Sequence, residues 1–147
     1  MQDDRLRASL PHAVVRFFRL MNREHNRAFQ TLGVSAEQAH VLSLLWELGP
    51  MTIGELQRQL ALSSPTLTGA IDRMEQQKLV RRVPSPTDRR AFRIEPTAPA
   101  ALRREVNAVV DRVEAHCFEG LTAAERRDLL RLVTKAASAL EGATISP

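Results

Sequence analysis

The chain is short of the residues that mark secreted, membrane and catalytic proteins. One cysteine, Cys117, stands in 147 residues, so no intramolecular disulfide forms and a reducing compartment is expected. No apolar run is long enough to span a membrane, and the opening stretch MQDDRLRASLPHAVV has no apolar signal core. A cytoplasmic protein with no membrane partner is the expectation. Lysine is nearly missing, with only Lys78 and Lys135 present. There is no nucleophile–base constellation, no glycine-rich phosphate loop, and no close C-x-x-C or H-x-x-x-H spacing. Neither an enzyme nor a resident metal or other cofactor is expected.

What is present describes a globular chain with a basic bias. Apolar residues make up 44% and charged residues 26%, which is enough to build a core. At this length one domain, 1–147, is expected. The formal net charge is +4 and the sequence pI about 10.5, which suggests a polyanionic partner. The positive charge is carried by arginine, whose planar fork bonds phosphate or guanine in two places. A general preference for arginine would explain the total. It does not explain why five arginines and one aspartate crowd into Arg81–Arg93.

The stretch 52–97 reads TIGELQRQLALSSPTLTGAIDRMEQQKLVRRVPSPTDRRAFRIEPT. Thr52 and Glu55 form a capping box that opens a short helix to about Leu60, with Ile53, Leu56 and Leu60 on one face. Ala61-Leu62-Ser63 makes a turn. Ser63 or Ser64 then caps a second helix, with Pro65 tolerated in its first turn. That helix has Leu67, Ala70, Ile71 and Met74 at helical period. Opposite the stripe fall Pro65, Gly69, Asp72 and Gln76, flanked by Thr66, Thr68 and Arg73. After Gln77 the period becomes extended, giving strands over 79–83 and 91–95 around a loop of prolines and charge. Helix, turn, helix and basic hairpin in this order are the plan of a winged helix-turn-helix DNA reader.

Helices with apolar stripes lie on both sides of this unit. Leu10, Val14, Phe17, Phe18, Met21, His25, Ala28, Phe29 and Leu32 predict a long amphipathic helix ended by Gly33. Ser35 and Gln38 form a second capping box, for a central helix to about Leu48 that Gly49-Pro50 stops. Thr97 is expected to cap a helix carrying Leu102, Val106, Val109, Val110 and Val113. Thr122 and Glu125 box in the last one. The predicted fold is mainly α with a small antiparallel β-wing (α+β). A winged helix-turn-helix lobe over 35–97 is flanked by dimerisation helices over 10–32 and 98–141. A two-fold dimer would place two recognition helices in successive major-groove turns.

The layout and the run LVRRVPSPTDRRAFRIEPT resemble the MarR family of bacterial transcription regulators, over about Leu10 to Leu140. The wing is the most specific part, through Asp88, Arg90, Ile94 and Thr97, with Arg82 also at a position where the family commonly carries arginine. The resemblance implies a homodimer on a near-palindromic double-stranded DNA operator, probing the major groove with its recognition helices. The wing arginine reaches the minor groove, held by the aspartate. Three positions depart from the family pattern. Lys78 stands where a helix-ending glycine is usual, so a positive φ or a different helix end is required. Pro96 replaces a leucine, which should shorten the second strand or leave it on an edge. Ser85 replaces an aspartate at the wing tip.

The candidate DNA-binding residues are Ser64, Pro65, Thr66, Thr68, Gly69, Arg73, Arg82, Asp88, Arg89 and Arg90. Asp72 is read as orienting Arg73 or a wing arginine. Regulators resembling this chain bind phenolic or aromatic carboxylates in a crevice between the flanking and central helices. Arg16, Met21, His25 and His40 are the candidate lining for such a ligand, and plain core packing is the competing reading. The expected function is a homodimeric regulator, a repressor released by a small anionic aromatic ligand. The alternatives are a metal- or redox-responsive regulator of the same fold and a winged-helix protein-interaction or architectural module. The metal alternative rests on His12, His25, His40 and His116, with Glu24 and Cys117. For Cys117, neighbouring His116 points about 100° away along a helix and is a poor activator.

Overall fold

The computed structural model describes residues 9–88 and 90–141. It has six helices and three short strands among the described residues. In chain order these are α1 Leu10–Gln30, α2 Ala36–Leu48, β1 Met51–Thr52, α3 Ile53–Leu60, α4 Ser64–Gln76, β2 Val80–Pro84, β3 Phe92–Pro96, α5 Ala100–Cys117 and α6 Ala123–Glu141. The chain divides into two compact units, one running to Val113 and the other from Glu114 onward.

Local chemistry sets most of the element boundaries. Two reciprocal caps in the first unit have the predicted form. Ser35 Oγ accepts from Gln38 N at 3.1 Å while Gln38 Oε1 accepts from Ser35 N at 3.0 Å. Thr52 Oγ1 accepts from Glu55 N at 3.2 Å, and Glu55 Oε2 accepts from Thr52 N at 2.7 Å. Gly33 and Gly49 adopt φ of 71° and 83° at the ends of α1 and α2. Backbone of that hand is costly for a side chain bearing Cβ, so each glycine ends its helix at little strain.

The Thr52 box has a pH consequence. Hydrogen bonds from the Thr52 backbone, then from its hydroxyl, hold the Glu55 carboxyl below the usual range. A folded-state pKa below the unfolded one adds stability above the unfolded value, and that stability is lost as pH falls through the folded value. Thr52→Ala should therefore cost about 1 kcal/mol at neutral pH. In urea titrations the gap to the unaltered protein should narrow below about pH 4. A gap of constant size down to pH 3 would contradict it.

The core of the first unit is built by α2, α3, α4, β3 and α5. Leu42, Leu45, Leu56, Leu67, Ile71, Met74, Ile94 and Val106 are fully buried, as is Phe29 of α1. All four stripe residues of α4 are inside. Gln38 is buried as well, and its amide does more than cap α2. Its Nε2 donates to Gln77 Oε1 at 2.8 Å, tying the start of α2 to the end of α4.

The sheet differs from expectation in three respects. It has a third strand: β1 pairs antiparallel with β3 (Met51 with Ile94, Thr52 with Arg93), giving the order β1-β3-β2. The hairpin strands sit one residue later than predicted, and Pro96 ends β3 opposite Val80. β3 is thus the central strand and not an edge. Pro96 is tolerated because it lies two residues beyond the end of β1's pairing. Thr97, expected as a helix cap, instead donates its hydroxyl to the Lys78 carbonyl at 2.9 Å, and α5 begins at Ala100.

Lys78 takes the positive φ, at 59°. An L-residue there carries about 1–2 kcal/mol of backbone strain, partly offset by the greater freedom glycine has when unfolded. Lys78→Gly should raise stability by roughly 0.5 kcal/mol. A lower midpoint in denaturant would show that the Lys78 side chain supplies more than its backbone costs.

In the second unit, Thr122 Oγ1 accepts from Glu125 N at 3.3 Å and Glu125 Oε2 accepts from Thr122 N at 2.8 Å, completing the third predicted box. None of the α6 side chains is buried; Leu130, Leu132, Val133 and Leu140 are all exposed.

Candidate nucleic-acid interface

The outer face of α4 is presented by the burial of its inner one. With Leu67, Ala70, Ile71 and Met74 inside, Ser64, Pro65 and Thr66 stand exposed at the N-terminus, with Thr68 and Gly69 half-buried behind them. Ser63 occupies the cap position but makes no side-chain bond to a backbone N–H; its hydroxyl pairs with Thr66 Oγ1 at 2.8 Å. The amides of this first turn therefore remain available to an anion, and the helix dipole favours one there. Arg73 bends back along the same face. Its Nη1 lies 3.4 Å from where a Cβ would stand on Gly69, so glycine leaves the space this guanidinium uses.

Arg82, on β2, does not stand free for DNA. One fork nitrogen donates to Asp72 Oδ1 at 2.6 Å and the other to Glu75 Oε2, while its backbone N donates to Glu75 Oε1 at 3.1 Å. The Asp72 hydrogen bond, with the adjacent Glu75 charge assisting, raises the guanidinium pKa above its already high value. The pairing ties the wing's first strand to the C-terminal half of α4, one guanidinium holding two carboxylates of that helix. Arg82, a candidate DNA contact, is thus held between wing and helix by Asp72 and Glu75. Asp72 meets this arginine.

Other wing arginines are likewise committed. Arg81 pairs with Glu95 across the strands at 2.8 Å. Arg93 donates to the Pro50 carbonyl. The loop beyond closes on itself: Ser85 N donates to the Ala91 carbonyl at 2.9 Å, and Ala91 N to the Asp88 carbonyl at 3.1 Å. Asp88 Oδ1 accepts from the backbone N of Arg90 at 2.9 Å. The expected grip of Asp88 on the Arg90 side chain is thus replaced by one on its main chain, which orders the loop and leaves the guanidinium outside. Arg90 is exposed and makes no ion pair among the described residues. Arg89, the remaining candidate, lies outside the described residues.

The predicted ligand residues are only partly brought together. A cavity of about 360 Å³ in the first unit is lined by His25, Phe29, Ala39, His40, Ser43, Glu47, Asn107, Val110 and Asp111. His25 and His40 face each other there, with ring centroids 6.2 Å apart. Arg16 and Met21 do not line it. Arg16 belongs to a separate groove along α1 with His12, Arg19 and Arg23, because nine residues of helix carry it about 13 Å from His25. Met21 contributes only its carbonyl, which accepts from His25 Nδ1 at 3.1 Å. Sequence reasoning missed Glu47 and Asp111, two charged residues on helix faces that look merely solvated until three helices are assembled. Among the described residues no group of three or more His, Cys, Asp or Glu is placed to hold a metal. Cys117 is half-buried. No helix among them is long and apolar enough to cross a membrane.

A capped short helix, a second helix exposing its polar N-terminus and a three-stranded wing define a winged helix-turn-helix protein. The sequence profile of the MarR family matches residues 34–92. The regulator MgrA of Staphylococcus aureus is 30% identical over 125 residues, 84% of each chain. The regulator YsmB of Bacillus subtilis is 53% identical over 53 residues, 36% of each chain. Among solved structures, a mutant MarR from E. coli complexed with operator DNA superposes with a TM-score of 0.79 at 26% identity, covering 86% of this chain and 92% of that one. The chain spans 36%, 61% and 59% of the length of three curated Bacillus subtilis relatives. The chain belongs to the MarR family. Its relatives are transcription regulators and not enzymes.

Proposed function

We propose that the chain is a sequence-specific DNA-binding regulator that works as a homodimer and represses from a near-palindromic operator. α4 enters the major groove through Ser64, Pro65, Thr66, Thr68, Gly69 and Arg73, and Arg90, with Arg89 beside it, reaches the adjacent minor groove. The observation that carries this reading is the division of labour among the arginines. Arg81, Arg82 and Arg93 are bound within the fold, while Arg90 projects from an ordered loop with its charge unspent. The E. coli relative solved on operator DNA supports it. A dimer is supported by apolar residues left in solvent: Leu10, Val14 and Phe18 on α1, and Leu130, Val133 and Leu140 on α6. Regulation would follow if a small aromatic ligand in the α1–α2–α5 cavity favoured one spacing of the two recognition helices.

Selection of bound sequences from a random DNA pool, with sedimentation of the protein alone, tests the proposal. A single palindromic consensus bound by a dimer with a steep salt dependence is expected. Binding of all duplexes alike would favour the architectural reading, and a monomer would remove the repressor geometry.

A further inference from the structure

The α1–α2–α5 cavity has a charge character opposite to that of an anion site. Its aromatic wall is His25 lying parallel on Phe29, with ring centroids 5.9 Å apart and 11° between planes. The charged and polar lining is His25 from α1, His40, Ser43 and Glu47 from α2, and Asn107 and Asp111 from α5. Neither arginine nor lysine is among those lining residues, and neither carboxylate holds an ion pair among the described residues. The Met21 carbonyl can only accept, so His25 Nδ1 donates to it. Burial, and then the neighbouring His25, lower the pKa of His40. Both effects reduce the positive charge that His40 can set against Glu47 and Asp111.

An aromatic carboxylate entering this cavity meets two like charges and neither arginine nor lysine. A ligand bearing a positive charge and N–H donors meets two carboxylates and an aromatic face, each favourable to it. The volume lies near the lower end of the range for small-molecule sites, about 300–1,000 Å³, which suits a single-ring compound. We propose that the cavity binds a small aromatic amine, carried as a cation, with its ring along the His25–Phe29 face and its ammonium directed to Glu47 and Asp111. Its role as an effector site rests on the regulator reading above; its ability to bind an amine does not.

Calorimetric titration of the full chain without DNA tests this, using three probes that share one ring: phenethylamine, 2-phenylethanol and phenylacetate. Phenethylamine should bind about tenfold more tightly than phenylacetate, with the alcohol between them. Glu47 and Asp111 are exposed residues, so Glu47→Gln with Asp111→Asn should keep the fold, as thermal melting would verify. That double variant should lose about tenfold in amine affinity and no longer distinguish the probes by charge. Phenylacetate binding as well as the amine, no binding by any probe, or an amine affinity untouched in the double variant would each overturn the proposal. The second measurement adds phenethylamine to the protein on its selected DNA. A change in DNA affinity that disappears in the double variant supports the effector role. Carboxylate-dependent amine binding that leaves DNA affinity unchanged overturns that role alone. If no DNA is selected, the regulator reading fails while the titration still decides the cavity.

Discussion

Arg82→Ala is expected to weaken binding to the selected DNA by on the order of 100-fold, with both half-sites of a dimer affected. The substitution removes one positive charge and also releases Asp72 and Glu75, which Arg82 pairs with on α4. Two unpaired carboxylates would then lie against phosphates, and the β2–α4 tie would be gone. Stability should fall less, by about 1–2 kcal/mol, since the pair is only partly buried. A triple variant separates positioning from contact. If Arg82 acts through its two partners, adding Asp72→Asn and Glu75→Gln to Arg82→Ala should recover most of the lost affinity. If Arg82 itself touches DNA, the triple variant stays as weak as the single one, and the positioning role is wrong.

Arg90→Ala should weaken binding about tenfold at physiological salt and lower the slope of log affinity against log salt by about one per half-site. The arginine is exposed and its loop is ordered by the Asp88 bond to its main chain. The change should therefore remove a DNA contact with little effect on stability. Arg90→Lys offers a finer readout. It keeps the charge and most of the salt slope, but a compact, strongly hydrated ammonium suits a narrow minor groove less well than a guanidinium. Preference for A·T-rich flanks should decline while overall affinity falls only a few-fold. Asp88→Ala loosens the loop without removing a charge contact and should cost less than Arg90→Ala. An unchanged affinity and salt slope for Arg90→Ala would remove the wing from the interface.

These two arginines show where sequence reasoning reaches and where it stops. Both sit in one basic run and both match positions where the family carries arginine, so the pattern groups them as contacts. Asp72 and Glu75 lie ten and seven residues before Arg82 in sequence, and nothing periodic links a helix face to a strand that follows it. Only the packing of β2 beside α4 brings the carboxylates within 2.6 Å of the guanidinium. Asp88 and Arg90 differ in kind. The pair was legible, but the side chain of an aspartate in a turn bonds most readily to main-chain N–H two residues on, and that competitor won.

The sequence by itself determined the helices and their ends. Ser35 with Gln38, Thr52 with Glu55, and Thr122 with Glu125 bond three residues apart, and Gly33 and Gly49 end their helices by their own φ preference. Such signals need no neighbour from elsewhere in the chain. The period of Leu67, Ala70, Ile71 and Met74 also determined which face of α4 is left for a partner. Tertiary structure decided β1, whose two residues are too few to form a pattern and pair only because β3 passes beside them. It decided which arginines are spent inside the fold and which remain outside, because the strength of an ion pair depends on distance and solvent exposure rather than on sequence spacing. It also set the sign of the cavity, since Glu47 and Asp111 come from different helices and acquire a shared role only where α2 and α5 bound the same space.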